Sequence, residues 1–281
     1  MEKAKSFKWT NVLYLLLLLP LMFVFAACGE DPSVKQLNTE ASCNTSGDYA
    51  TEATKADYTT AVGEQTAIDA DGYRITAVIK MQTGSGDEAV SQEIMKVNMI
   101  MKEVRTDTAV TYQMAMKMKM KNIFKGLLDE DTPDEIIAYA YYKDGKIYSE
   151  DQDGNKYYDV VSIDDMFDSE TMSLMAFTNL EEILGAVNAV GDVTVTKEGN
   201  NFKVVANGAA NIDGQSISAG ATAYINFNSE GKIVAAQLSY DMAYFTSTMN
   251  CQFTLSGFNG DIAFPDLTKY TQAPEEPDNL E

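Results

Sequence analysis

Apolar and polar residues alternate one by one over long stretches of this chain. Between Val110 and Met120 the residues Met114, Met116, Met118 and Met120 occupy one parity, and Lys117, Lys119 and Lys121 occupy the other. The same two-residue period runs through Tyr73–Met81 and Ile94–Lys102. Successive side chains of a strand point to opposite faces, so this period commits each segment to a strand with two chemically unlike faces. The spacing makes this assignment rather than propensity, because methionine is a neutral strand former.

Further alternating runs cover Ile136–Lys143, Lys146–Glu150 and Lys156–Val161, separated by Asp144-Gly145 and Asp153-Gly154. Asp-Gly between alternating runs marks a tight hairpin, since both central positions of the favoured turn need a positive φ. Strands are also predicted over Val193–Val195, Phe202–Val205, Ala221–Asn228, Ile233–Tyr244 and Asn250–Leu255, with turns at Gly199-Asn200, Asp213-Gly214 and Glu230-Gly231. Between these two groups the period lengthens to 3.6. Ile163, Met166, Phe167, Leu174 and Met175 form one helical stripe, and Leu180, Ile183, Leu184 and Val187 form a second. Asn179 and Glu182 are spaced as a capping box, and Gly191 ends the second helix. A further short helix is predicted within Thr51–Gln65. Strands, then helices, then strands, joined by hairpin-length connections, predict an α+β fold. Its large antiparallel sheet carries the helices near 162–189 on one face, in a single domain over 51–270.

The chain's two ends read differently. Lys3, Lys5 and Lys8 precede an apolar run from Val12 to Ala27 that contains Pro20. The run is shorter than the about 20 residues a spanning helix needs, and small residues close it. Ala26-Ala27-Cys28 resembles the lipobox of bacterial lipoprotein signals, with Phe25 where leucine is usual. That resemblance implies removal of residues 1–27 and diacylation of Cys28. An ordinary secretory signal with a chance cysteine is the alternative. Two acyl chains suffice for stable anchoring. Residues 28–50 are polar, small and acidic, and are expected to form a flexible lipidated tether. The acidic segment 271–281, with Pro274 and Pro277, is expected to be a disordered tail.

Charge and composition exclude several functions. The net charge is −21, and residues 1–27 carry three Lys and one Glu, so their removal leaves −23. A surface this acidic repels nucleic acid and anionic headgroups alike, so no nucleic-acid partner is expected and the membrane is reached through the lipid. The chain has no histidine, which removes the commonest general base and the commonest metal ligand. No nucleophile–base pair, phosphate loop or cofactor motif is present, so the chain is not read as an enzyme. The acidic clusters Glu130, Asp131, Asp134, Glu135 and Glu150, Asp151, Asp153 lack the spacing of a calcium loop and read as solvated. Cys43 and Cys251 either form a disulfide, as an extracytoplasmic address allows, or remain two unpaired thiols.

The candidate binding residues are methionines. Met95, Met99, Met101, Met114, Met116, Met118 and Met120 fall on two neighbouring strands, and Met166, Met172 and Met175 fall on the helical segment. Methionine is unbranched and polarizable. Such a set makes a deformable apolar wall for an irregular ligand, or simply fills a core. Copper(I) held by thioethers is a third and weaker reading.

A lipidated cysteine, a tether, long antiparallel strands, a helical insert and strands ending near Phe264-Pro265 together resemble the LolA-like architecture, which includes the LppX and LprG type lipoproteins. Tyr141-Tyr142-Lys143-Asp144-Gly145-Lys146-Ile147-Tyr148, followed by Asp153-Gly154-Asn155-Lys156-Tyr157-Tyr158, is similar to the paired hairpins of that group. The resemblance implies a curved half-barrel sheet whose concave face holds the helical insert and an acyl chain. It also implies a monomer on the extracytoplasmic face of a Gram-positive membrane, binding lipid or lipoprotein acyl chains without catalysis. The alternative is a lipoprotein with a filled core that contacts another envelope protein.

Overall fold

A computed structural model describes residues 32–62, 68–83, 89–105, 110–121, 134–150, 155–161, 192–212, 215–244 and 247–273. The segment 1–27, Cys28, and the helices expected near 162–189 with Met166, Met172 and Met175 lie outside the described residues.

The alternating segments form one thirteen-stranded sheet. In chain order the strands are β1 (Thr51–Ala53), β2 (Gly72–Thr83), β3 (Val90–Arg105), β4 (Val110–Lys121), β5 (Glu135–Lys143), β6 (Lys146–Glu150) and β7 (Lys156–Val160). They continue as β8 (Asp192–Glu198), β9 (Asn201–Ile212), β10 (Gln215–Phe227), β11 (Ile233–Tyr244), β12 (Ser247–Phe258) and β13 (Thr271–Gln272). Their spatial order is β1-β8-β9-β10-β11-β12-β2-β3-β4-β5-β6-β7-β13, so the sheet is open, with β1 and β13 at its edges. Every neighbouring pair is antiparallel except β7 and β13, which run parallel and make the sheet mixed. Two short helices accompany it among the described residues, α1 (Pro32–Leu37) and α2 (Lys55–Val62).

Local chemistry explains the hairpins. Asp144 (φ 53°) and Gly145 (φ 73°) both sit in the left-handed region, the requirement of the two-residue turn that joins β5 to β6. Gly257 on β12 has a different role. Residues 68–70 cross the sheet there, and a β-carbon at this position would lie 2.8 Å from the Ala70 Cβ.

The register sorts side chains onto two faces. One face carries the main core, from Met114, Met118 and Ala140 through Ile75, Ile79 and Leu255 to Ile225, Val204 and Phe202. The opposite face carries a smaller cluster of Ile100, Ala115, Tyr141, Tyr148 and Phe258, covered by Leu37, Ile262 and Tyr270 from the chain's ends. Much of the rest of this face is polar, with Arg74, Thr76, Lys96, Asn98, Lys117 and Asn226.

The segment expected as a flexible tether crosses this second face as a strap, nearly perpendicular to the strands. Ser33 Oγ lies 3.0 Å from the Tyr141 hydroxyl on β5. Lys117 on β4 donates to Asn38 Oδ1 at 2.6 Å, and Lys96 on β3 pairs with Glu40. Arg74 on β2 donates to the carbonyls of Gln36 and Thr39, each at 2.8 Å. The Ala41 N–H donates to Thr76 Oγ1 at 2.8 Å, and the Ser42 N–H donates to Ser256 on β12 at 3.4 Å. On β10 the Asn226 carboxamide accepts from the Asn44 N–H (2.6 Å) and donates to the Asn44 carbonyl (3.1 Å), as a neighbouring strand would. The strap then turns at the sheet edge into β1, which pairs with β8. Polar strand groups facing a polar segment leave no hydropathy signal, which is why composition alone suggested a free linker. The C-terminal segment joins the same face. Gln36 donates to the Asp261 carbonyl and accepts from the Ala263 N–H, both at 2.9 Å, and β13 begins at Thr271, inside the segment expected as a tail.

Leu37 is fully buried beneath this strap. Leu37→Ala is expected to cost about 2–5 kcal/mol, as buried leucine truncations do. Urea unfolding of the soluble domain measures it, and an unchanged midpoint would mean that residues 32–50 hang free.

Candidate functional site: the methionine face

The seven strand methionines of the proposed wall lie on the main-core face in cross-strand pairs. Met101 pairs with Met114, Met99 with Met116, and Met95 with Met120, while Met118 faces Val97. Next along the sheet on β5, Met114 faces Tyr142, Met116 faces Ala140 and Met118 faces Ala138. Each of these positions shares a face because paired residues in an antiparallel ladder point the same way. Met81 and Met249, paired between β2 and β12, share this parity. Sequence reasoning passed over these two, although the alternation of Met249, Cys251, Phe253 and Leu255 carries the same signal.

Small side chains flank the methionines. Ala138 and Ala140 lie beside them on β5, and Ala206, Ala221, Ala223 and Ala236 line the same face over β9 to β11. Six of the seven methionines are between 1% and 8% exposed, Met120 being the more open one. The face is therefore largely apolar, built of thioethers, methyl groups and aliphatic side chains together with rings such as Tyr142 and Phe202.

One buried polar atom in this core stands out for its lack of a partner. Tyr58 on α2 is buried in the same core, with its ring edge-on to Phe202 at 5.6 Å between centroids. Its hydroxyl has no hydrogen-bond partner among the described residues. Burial pushes its ionisation well above the ordinary tyrosine range, so the group stays an O–H donor. An unmet buried hydroxyl costs about 1–3 kcal/mol, so its retention calls for an explanation.

The two cysteines do not pair. Cys251 stands on β12 opposite Ile79 and points into the main core. Cys43 belongs to the strap on the other face, 3.2 Å from Asn226 Oδ1. The sheet itself separates the two sulfurs, so a disulfide would have to pass through it. Burial raises the Cys43 thiol to about 12 and the Cys251 thiol, with a smaller push from Asp241, to about 11.

Several lysines on the opposite parity have partners. Besides the bonds of Lys96 and Lys117 to the strap, Lys102 reaches the Gly260 carbonyl (2.8 Å) and Asp261 (3.2 Å). Lys119 pairs with Glu135 at 2.9 Å, and Lys156 with Glu150 at 3.3 Å. These two glutamates, from the acidic runs considered as calcium ligands, are thus engaged by lysine. The described residues contain no group of three or more cysteines, aspartates or glutamates close enough to hold a metal. No described helix is long and apolar enough to cross a membrane. No protein-family model matches the chain, and no curated protein matches it.

Both thiols should resist alkylation at pH 8 in the folded protein and react once it is unfolded, with the same intact mass before and after reduction. A fold that holds these protons loses stability as the pH rises above about 8.5, the unfolded thiol value, toward the higher folded values. Rapid modification of Cys43 in native buffer would contradict its placement between the strap and β10.

Proposed function

We propose that this chain is an extracytoplasmic lipoprotein, anchored through Cys28, that holds the acyl portion of an amphipathic lipid or lipoprotein against its methionine face. The observation that carries this reading is the run of paired methionines on β3 and β4. Seven unbranched thioether side chains on adjacent strands form a surface that reshapes around an irregular hydrocarbon, where branched side chains would hold one fixed contour. The flanking alanines leave width beside them. The Tyr58 hydroxyl, a donor with no described partner, supplies the kind of sparse polar group that orients a ligand in an apolar site.

In this reading the sheet curves as a half-barrel, and the helices expected near 162–189 cover the methionine face, bringing Met166, Met172 and Met175 to it. The protein acts as a monomer and performs no chemistry on its ligand. The Lys3–Ala27 signal pattern and the cysteine that ends it support the address. The resemblance to LolA-like lipoproteins supports the choice of ligand.

A second reading is favoured by the deep burial of Met99, Met101, Met114 and Met118, which a filled core produces as well. The protein would then be an interaction module for another envelope component.

The residue that separates the two readings is Tyr58. The soluble domain, purified from a bacterial host, should carry lipid in native mass spectrometry and take up a fluorescent fatty acid. Tyr58→Phe removes one unpartnered oxygen and leaves the packing intact. In a carrier it weakens uptake by about tenfold, the worth of a net hydrogen bond of roughly 1.4 kcal/mol. In a filled core it leaves stability unchanged or raises it. A lipid-free mass with no fatty-acid uptake would refute the carrier reading.

A further inference from the structure

If Cys28 carries the lipid, the strap fixes which part of the domain meets the bilayer, and this inference rests on that anchoring. Ser33 is buried against Tyr141, so the chain is held from that residue onward. Five residue steps from Cys28 to Ser33 span at most about 18 Å, even fully extended. The membrane surface must therefore lie close to the end of the sheet where the strap begins.

That end has a distinct surface. Two residues beyond Tyr141 on the same face, Lys143 pairs with Lys146, and Lys146 pairs with Val160. Lys102 occupies the same face and the same end of β3, and the pair Arg105 and Val110 lies at this end on the methionine face. The Lys143 ammonium lies 5.1 Å from the centroid of Phe264, and the Lys146 ammonium lies 4.0 Å from that of Tyr158. Val160, 72% exposed, lies on this face, and Val110, 55% exposed, lies at the same end on the other face, so two of the three large exposed apolar side chains among the described residues mark this end. The third, Val90, is 64% exposed at the opposite end of β3, twelve residues from Lys102 and so about 40 Å away. Several acidic groups also lie at the near end. Glu103 pairs with Arg105 and Asp261 with Lys102, Asp159 alternates to the other face, and Asp144 sits in the turn.

We propose that the β5–β6 hairpin end, with Lys143, Lys146 and Val160 beside Phe264 and Tyr158, is a membrane-docking surface that rests on anionic phospholipid headgroups. Lysines over aromatic rings, next to an exposed aliphatic side chain, suit the headgroup layer: the ammonium meets phosphate while ring and methyl groups enter the interface. In a chain of net charge −21, the adjacent pair Lys143 and Lys146 also favours this orientation, because strongly acidic surfaces are repelled by the same headgroups. Docking by this end lays the strap's entry against the bilayer and holds the far end of β3 away from it.

The single tryptophan of the chain is Trp9, within the segment removed on processing, so an introduced tryptophan reports alone. V160W and V90W, each in the processed lipidated protein, are bound to phosphatidylglycerol-containing vesicles that include brominated lipid. V160W is expected to lose most of its emission, and V90W to keep it. Adding K143E and K146E to V160W should leave flotation with the vesicles unchanged, since the acyl chains hold the protein, and restore the emission. Flotation without quenching of V160W, equal quenching of V90W, or quenching that survives the two charge reversals would overturn the docking surface while leaving the anchor standing. Failure of the processed protein to float would overturn the anchor, and the docking surface with it.

Discussion

A sheet with two unlike faces must bury both, and it must do so with two different chemistries. In this protein the alternation of methionine with lysine on β4 brings that problem to a single strand. Met114, Met116 and Met118 are hidden on one side, while Lys117 and Lys119 stand on the other. The apolar side is satisfied by any greasy cover. The opposite side is not, because Thr76, Asn98, Arg74 and Asn226 bring hydrogen-bonding groups that are costly to bury unpaired. The strap meets that demand. Its own backbone carbonyls and amides take Arg74, Thr76 and Asn226 as partners, so two sets of polar groups are removed from water together.

The placement of the chain's cations follows from the same constraint. Lys96, Lys102 and Lys117 hold residues 38–40 and 260–261, and so fasten both ends of the chain to the middle of the sheet. Individually, such exposed or half-exposed contacts are weak. Their value here is positional. They lie on β3 and β4, next to the apolar anchors Leu37, Ile262 and Tyr270, and they fix where those side chains enter the second core. Residues far apart in sequence are thereby closed into one face.

Legibility in the sequence tracked how each segment is buried. β4, β6 and β11 stand within a residue of their predicted bounds, because one of their faces is uniformly apolar or a turn with an obligatory positive φ delimits them. β9 and β10 extend well beyond Phe202–Val205 and Ala221–Asn228. Their outer halves, with Gly208, Ala209 and Ala210 against Ala219, Ser218 and Ile217, contain small residues on both parities and so show little alternation. The strap was invisible for a different reason. Its partners are strand side chains more than a hundred residues away in places, as with Ser33 and Tyr141, and its own composition matches that of a solvated linker. The methionine wall was legible because register follows from parity once the β3–β4 hairpin is assumed. The unpaired state of Cys43 and Cys251 was not, because it depends on which face the strap takes.

The strap also changes what a lipid at residue 28 would do. A free segment of about twenty residues would let the domain drift several nanometres from the bilayer and sample every orientation. A segment bound to the sheet from Ser33 leaves only a few residues of slack. An anchor on so short a lead restrains rotation as well as distance, since tilting the body away costs contacts of the strap with six strands. Orientation then ceases to be a property of the lipid alone and becomes a property of the fold. The hydrogen bonds that settle the polar face of the sheet are the same ones that would decide, for a lipid at residue 28, which end of it lies nearest the membrane.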